Sequence, residues 1–182
     1  MKTAYKLLRV KDGKLFPMFV LADESLPLHV YLKAREGQRL PSGKVRSKLG
    51  PLAFRPGFHL CELPLATHIG VERDGVIAYM HPDTVWCRCS YSDKKDYQHE
   101  ADLMGMKNGK VIRQKACLKH VPVDGYYHYK TSPRMYGDRI IAGGITIDKV
   151  LSDGEVADIL APYGLTPPPR LETLDISAFS QK

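Results

Sequence analysis

The sequence predicts a single α+β domain built on a strongly bent, mostly antiparallel sheet in two halves, with short helices and one C-terminal helix. Three observations predict it. Apolar and polar residues alternate with the strand period in several short runs, most clearly Val85–Trp86–Cys87–Arg88–Cys89–Ser90–Tyr91. Thirteen prolines and fifteen glycines cut the chain into short elements and leave little room for a helical bundle. Only residues 152–164 carry a complete helix signature. The 182 residues suffice for one core, placed at 1–164, followed by a Pro-rich tail at 165–182.

The elements follow in order. Tyr5–Val10 reads as a strand, turned by Lys11–Asp12–Gly13–Lys14 into a second at Leu15–Leu21, where Pro17 indicates an edge. Residues 29–36 fit a short helix or a strand. Gly37–Pro51 is a loop carrying Arg39, Lys44, Arg46 and Lys48; it is either a solvated linker or a phosphate-contacting loop. Phe54–Cys61 leads into a strand. Pro64–Ile69 reads as a short helix, with Pro in its first turn and Gly70 after its last residue. Turns at Asp74–Gly75 and His81–Pro82–Asp83 precede the strand Val85–Tyr91. Residues 93–115 are polar and read as an irregular excursion.

Gly125–Thr131 is an aromatic strand. After a turn at Tyr136–Gly137–Asp138, Arg139–Val150 is strand-like, with Gly143–Gly144 marking a bulge or the close approach of another group. Ser152–Asp153–Gly154–Glu155 is a capping box; Val156, Ile159, Leu160 and Tyr163 follow the helical period, and Gly164 ends the helix. The tail, with Pro167–Pro168–Pro169, reads as extended over the surface.

Lys plus Arg number 27 against 20 Asp plus Glu, a formal charge of +7 that favours polyanions, nucleotides or acidic proteins. No apolar run reaches the ~18–20 residues of a membrane span, and no apolar signal core follows the N-terminus. A soluble, cytoplasmic protein with no membrane partner and reduced thiols is expected. His59 with Cys61, Cys87 with Cys89, and Cys117 with His120 have pairwise spacings compatible with metal ligation, but buried free cysteines explain the pattern more simply. No metal is assigned.

Phosphate-loop, dinucleotide-fold, nucleophile-elbow and zinc-protease motifs are absent from the sequence. The chemistry-bearing candidates lie at strand ends and Gly/Pro turns: His59 after Arg55–Pro56–Gly57, His68, His120, Lys130 and Asp138.

The order of elements resembles the ADP-ribosyltransferase superfamily over about residues 5–150. Gly57–Cys61 followed by Pro64–Gly70 is similar to the strand and short helix that line its nicotinamide pocket. Val85–Tyr91 resembles its central strand. Tyr136–Ile141 with Ile145–Val150 resembles its late strand pair, where an acidic residue acts on the nicotinamide ribose. Rifampin ADP-ribosyltransferases are nearest in size and order. The resemblance implies a mono-ADP-ribosyltransferase using NAD to modify a protein or nucleic-acid acceptor. It implies Asp138 and His59 as catalytic residues, Arg9 and Arg55 on the diphosphate, and Phe58, Tyr127 and Tyr129 around the nicotinamide. The chain departs from the family: its first strand usually carries His or Arg, for which Arg9 is the only candidate, Asp138 would have to replace the usual late Glu, and no Ser-Thr-Ser motif is present.

Two other readings stand beside it. One is a basic, non-enzymatic nucleic-acid- or protein-binding module, such as a phage-borne inhibitor of host defence. The other is a metal-independent ribonuclease using His59, His120 and Lys130.

Overall fold

The computed structural model describes residues 1–130, 132 and 135–180, with Arg113 through its backbone alone. Thr131, expected at the end of the aromatic strand, and Gln181–Lys182 lie outside the described residues. In chain order the strands are β1 (Lys2–Lys11), β2 (Lys14–Phe16), β3 (Tyr31–Lys33), β4 (Phe58–Cys61), β5 (Val71–Arg73), β6 (Val76–Tyr79), β7 (Thr84–Tyr91) and β8 (Lys95–Asp96). Helix α1 (Gln98–Met104), β9 (Met106–Lys107), β10 (Lys110–Val111), β11 (Gly125–Tyr129), β12 (Arg139–Ala142), β13 (Gly144–Val150) and α2 (Asp153–Leu160) complete it.

The main sheet runs β3-β13-β7-β1-β4-β12-β11-β8, with β2 hairpinned onto β1. Every pairing in it is antiparallel except β11 with β8. The expected α+β domain with a bent sheet is what forms. Its two halves are joined by one register pair: β1 meets β4 only at Tyr5↔Cys61, against eight pairs between β1 and β7. Beyond that contact β1 and β4 part, and Lys6 bridges them by donating from Nζ to the His59 carbonyl, 3.0 Å.

Strand alternation sorts the side chains onto two faces. One face carries Ala4, Leu8, Leu60, Cys87, Cys89, Ile140, Ile145 and Ile147, all 0–1% exposed. The tail residues Leu174, Ile176 and Phe179 pack on it. On the opposite face Trp86, Cys61 and Leu151 pack against Val156 and Leu160 of α2. Further along that face, Tyr127, Tyr129 and Ile141 pack with Ala101 of α1 and Leu118. The Ser152 N-cap forms as read: Ser152 Oγ accepts from the Glu155 amide at 3.1 Å, while the Glu155 carboxylate pairs with Lys149 rather than closing the box, and Gly164 ends the helical segment in the left-handed conformation. Arg170 fastens the tail through Asp153 (2.8 Å) and the Thr84 carbonyl (2.5 Å). Among the described residues no helix is long and apolar enough to cross a membrane.

Four local expectations need correction. The second strand ends at Phe16, because Pro17 has no amide to continue the ladder. (Of the two forms left open for residues 29–36, the strand is the one present, as β3.) Pro64–Ile69 forms no helix. Six residues cannot offset the nucleation cost, and an irregular path lets Leu63, Leu65, Ala66 and Ile69 all reach the α2-side core. Residues 93–115 are structured: α1 buries Ala101 completely, and β9–β10 form a hairpin. Finally, Arg139–Val150 is two strands in different halves of the sheet. Gly143 sits at the crossover, where a Cβ would lie 2.0 Å from the Pro122 carbonyl oxygen, so backbone approach is the reason for glycine there.

Candidate functional site

A cleft of about 700 Å³ opens where the two halves of the sheet part. Lys2, Glu62, Tyr91, His128, Tyr136 and Tyr163 are among its lining residues. That volume suits a small-molecule ligand. Its polar centre comes from three strand ends. Glu62 follows β4, Asp138 precedes β12, and His128 is the fourth residue of β11. The register row Leu60–Ile140–His128 places them on one face.

Glu62 and Asp138 clasp each other through the backbone. The Asp138 amide donates to Glu62 Oε2 at 2.6 Å, and the Glu62 amide donates to the Asp138 carbonyl at 3.1 Å. His128 Nδ1 lies 3.2 Å from Asp138 Oδ2 and 3.5 Å from Glu62 Oε1. Lys130 Nζ is 3.9 Å from Asp138 Oδ1. Two carboxylates therefore face one imidazole nitrogen. Their ligand atoms and the imidazole nitrogen lie within 4.8 Å of one another, so these residues can hold a divalent cation or act as an acid–base set. Around them, Tyr91 and Tyr126 meet edge to face at 5.6 Å, and Tyr126 meets His128 at 5.7 Å. Lys2 donates to the Tyr126 hydroxyl at 3.0 Å, which raises the lysine pKa. Burial raises the Tyr91 pKa to about 12, so the tyrosine stays a neutral wall.

The residues singled out in the sequence divide between the faces. Asp138 lies at the rim of the cleft, against the lining residues Glu62 and His128. His59 points to the opposite face, where its Nε2 donates to the Arg55 carbonyl at 2.9 Å and its Nδ1 lies 3.3 Å from the Tyr129 hydroxyl. Tyr127 and Tyr129 share that far face; Tyr127 is fully buried, its hydroxyl accepting from the Leu118 amide at 3.2 Å. The Arg55 guanidinium stacks on the Tyr129 ring at 4.0 Å. Phe58 belongs to the cleft-side face and packs into its core. Arg9 is remote, anchoring the 17–22 turn by donating to the Pro17 carbonyl at 3.0 Å and to the Ala22 carbonyl. Thus Arg9, His59 and Asp138 do not converge.

The ribonuclease trio shows no mutual contact either: His120 pairs with Glu100 at 2.9 Å, Lys130 with Asp138, and His59 is on the other face. Nor do the cysteine pairs meet, since Cys87 and Cys89 project opposite to His59 and Cys61. Residues in or beside the cleft not singled out as site residues in the sequence include Glu62, His128, Lys2, Tyr91, Tyr163 and the adjoining Tyr126. Parity held the signal: in Tyr126–Tyr127–His128–Tyr129, the residues sharing Asp138's face are 126 and 128.

The far face has its own electrostatics. Dense packing around the His59 ring, although an edge stays open to solvent, lowers its pKa to about 4; Lys6, Arg55 and Arg139 repel a further positive charge, and the bond to the Arg55 carbonyl opposes the shift. Burial and then Arg139 lower the His68 pKa. Burial raises the Cys61 thiol above its ordinary value against the pull of Arg139 and Lys6.

Comparison with protein-family models, curated protein sequences and solved structures gave no match to this chain.

Proposed function

We propose that the cleft is the NAD site of a mono-ADP-ribosyltransferase-like enzyme that modifies a protein or nucleic-acid acceptor. The observation that carries the reading is the pair of carboxylates, Glu62 and Asp138, set on His128 at the edge of a tyrosine-lined cleft between two half-sheets. When nicotinamide leaves C1′ of the ribose, it takes the bonding electron pair and becomes neutral. Positive charge then develops on the ribosyl group. A carboxylate fixed beside it stabilises that charge more in the transition state than in the ground state. Asp138, held by Lys130 and by the Glu62 clasp, has that role. Glu62, with His128, takes the proton from the acceptor nucleophile as it bonds to C1′. Tyr91, Tyr136 and Tyr163 offer ring surfaces for the nicotinamide or adenine, and Lys2 offers charge to the diphosphate. Relative to the sequence expectation, the aromatic role passes from Tyr127, Tyr129 and Phe58 to these tyrosines, and the diphosphate role from Arg9 to Lys2.

The test is ligand-dependent melting. A ligand that binds only the folded state at 100 times its Kd stabilises by about 2.7 kcal/mol. NAD and ADP-ribose should raise the melting temperature of the wild type, and Tyr163→Ala, an exposed position, should reduce the shift without altering the unliganded protein. No shift with NAD, ADP-ribose or nicotinamide overturns the reading.

A further inference from the structure

On the sheet face opposite the cleft, two guanidinium groups have no counter-charge among the described residues. Arg139 is 7% exposed. Among the described residues its partners are the Cys61 sulfur and the His68 ring, 3.3 Å from Nη2, and none is an oxygen. Arg55 donates to the Gln114 carbonyl at 3.2 Å and stacks on Tyr129, but its buried Nε has no hydrogen-bond partner among the described residues. Tyr129 and His59 link them: Arg139 lies between Tyr129 and Cys61 in register, Arg55 stacks on the Tyr129 ring, and His59, in the neighbouring row with Ile141, donates to the Arg55 carbonyl. Among the described residues no carboxylate pairs with either arginine. The charged groups acting on His59 are Lys6, Arg55 and Arg139, all cations.

A buried guanidinium without an anion is costly, and folds retain such groups when something neutralises them. The local thiol does not do so, because burial keeps Cys61 protonated. His59 and His68 stay uncharged near neutral pH, so they accept or donate without adding repulsion to an arriving anion. Both are exposed and give solvent a way in.

We propose that Arg139 and Arg55, flanked by His59 and His68, form a binding site for a phosphoryl dianion, separate from the cleft. Two uncompensated guanidinium charges match a doubly charged phosphate, and the planar donor fork matches its oxygens. A carboxylate supplies half the charge. The site does not depend on the cleft's being an NAD site.

The experiment is thermal denaturation of the full chain in inorganic phosphate, in a nucleoside 5′-monophosphate and in acetate at matched ionic strength, with ring-proton NMR of His59 and His68. Phosphate should raise the melting temperature saturably and shift both histidines, with acetate inactive. A larger effect of the nucleotide identifies its terminal phosphate as the source; equal effects identify free phosphate. Arg139→Met, which keeps an apolar stem and removes the guanidinium and its charge, and Arg55→Gln should each abolish the effect, while Asp138→Asn should retain it. Equal stabilisation by acetate, persistence of the effect in both arginine variants, or tighter competition by an RNA lacking terminal phosphates would overturn the proposal.

Discussion

Leu160→Ala tests the link between the fold and the cleft. Leu160 is 0% exposed and packs with Val156, Leu151 and Trp86 on the underside of the sheet. Its carbonyl accepts from the Leu165 amide at 3.3 Å, and Tyr163 and Leu165 then line the cleft. Removing a buried leucine side chain costs roughly 2–5 kcal/mol, the transfer loss plus the cavity left behind. Here the opposing wall is sheet, anchored by pairing on both edges of β7, so collapse is restricted and the upper half of that range applies. For a chain of this size each kcal/mol moves the melting temperature by roughly 2–4 °C, so a fall on the order of 10 °C follows. Calorimetry of wild type and variant reads it. Ser152→Ala, which removes only the cap, should cost about 0.5–2 kcal/mol. A fall below about 2 °C for Leu160→Ala would refute the packing of α2 against β7 and its role in shaping the cleft wall.

Three further outcomes are expected. Gly143→Ala should cost about 3 kcal/mol or more, since its Cβ would overlap the Pro122 carbonyl, whereas Gly154→Ala, inside α2 with open space around it, should stabilise by about 0.5–1 kcal/mol; denaturant titration distinguishes the two. Tyr127→Phe should cost about 1–3 kcal/mol by orphaning the buried Leu118 amide, while Tyr126→Phe, which loses only the contact with exposed Lys2, should cost less than about 1 kcal/mol; equal costs would contradict the assignment of faces. Because the folded-state pKa of His59 lies near 4, below its unfolded value near 6.5, the unfolded chain takes up the proton first as pH falls. The His59 contribution is therefore complete above about pH 6.5 and is lost progressively down through about pH 4. Urea midpoints across that window should fall less steeply in His59→Gln.

The fold class was legible because period-two alternation and turn residues are local. Val85–Tyr91 and the Ser152 cap needed nothing beyond their own neighbours. What escaped depends on distant residues. Pro64–Ile69 has helix punctuation at both ends, yet a core formed by α2 and β7 draws its apolar residues along a different path. Helix α1 offers one buried side chain, Ala101, too little for a periodic signal. For the site, Asp138 was legible from its turn and following apolar strand. Glu62 and His128 were not, because only the β4–β12–β11 register brings them to Asp138, and that register is invisible in any single segment. The choice of Tyr127 and Tyr129 over Tyr126 and His128 is a one-residue difference in parity, which in a strand exchanges one face for the other.

The most direct measurement of the central claim is nicotinamide release from NAD by wild type and Asp138→Asn, with melting curves of both. The amide keeps the carboxylate's shape and loses its charge, so NAD-dependent melting should survive. Turnover should fall on the order of 100-fold or more, the scale of losing one preorganised electrostatic contact in the transition state. Release at the wild-type rate by Asp138→Asn, or no release by wild type in the presence of candidate protein and nucleic-acid acceptors, would contradict the account.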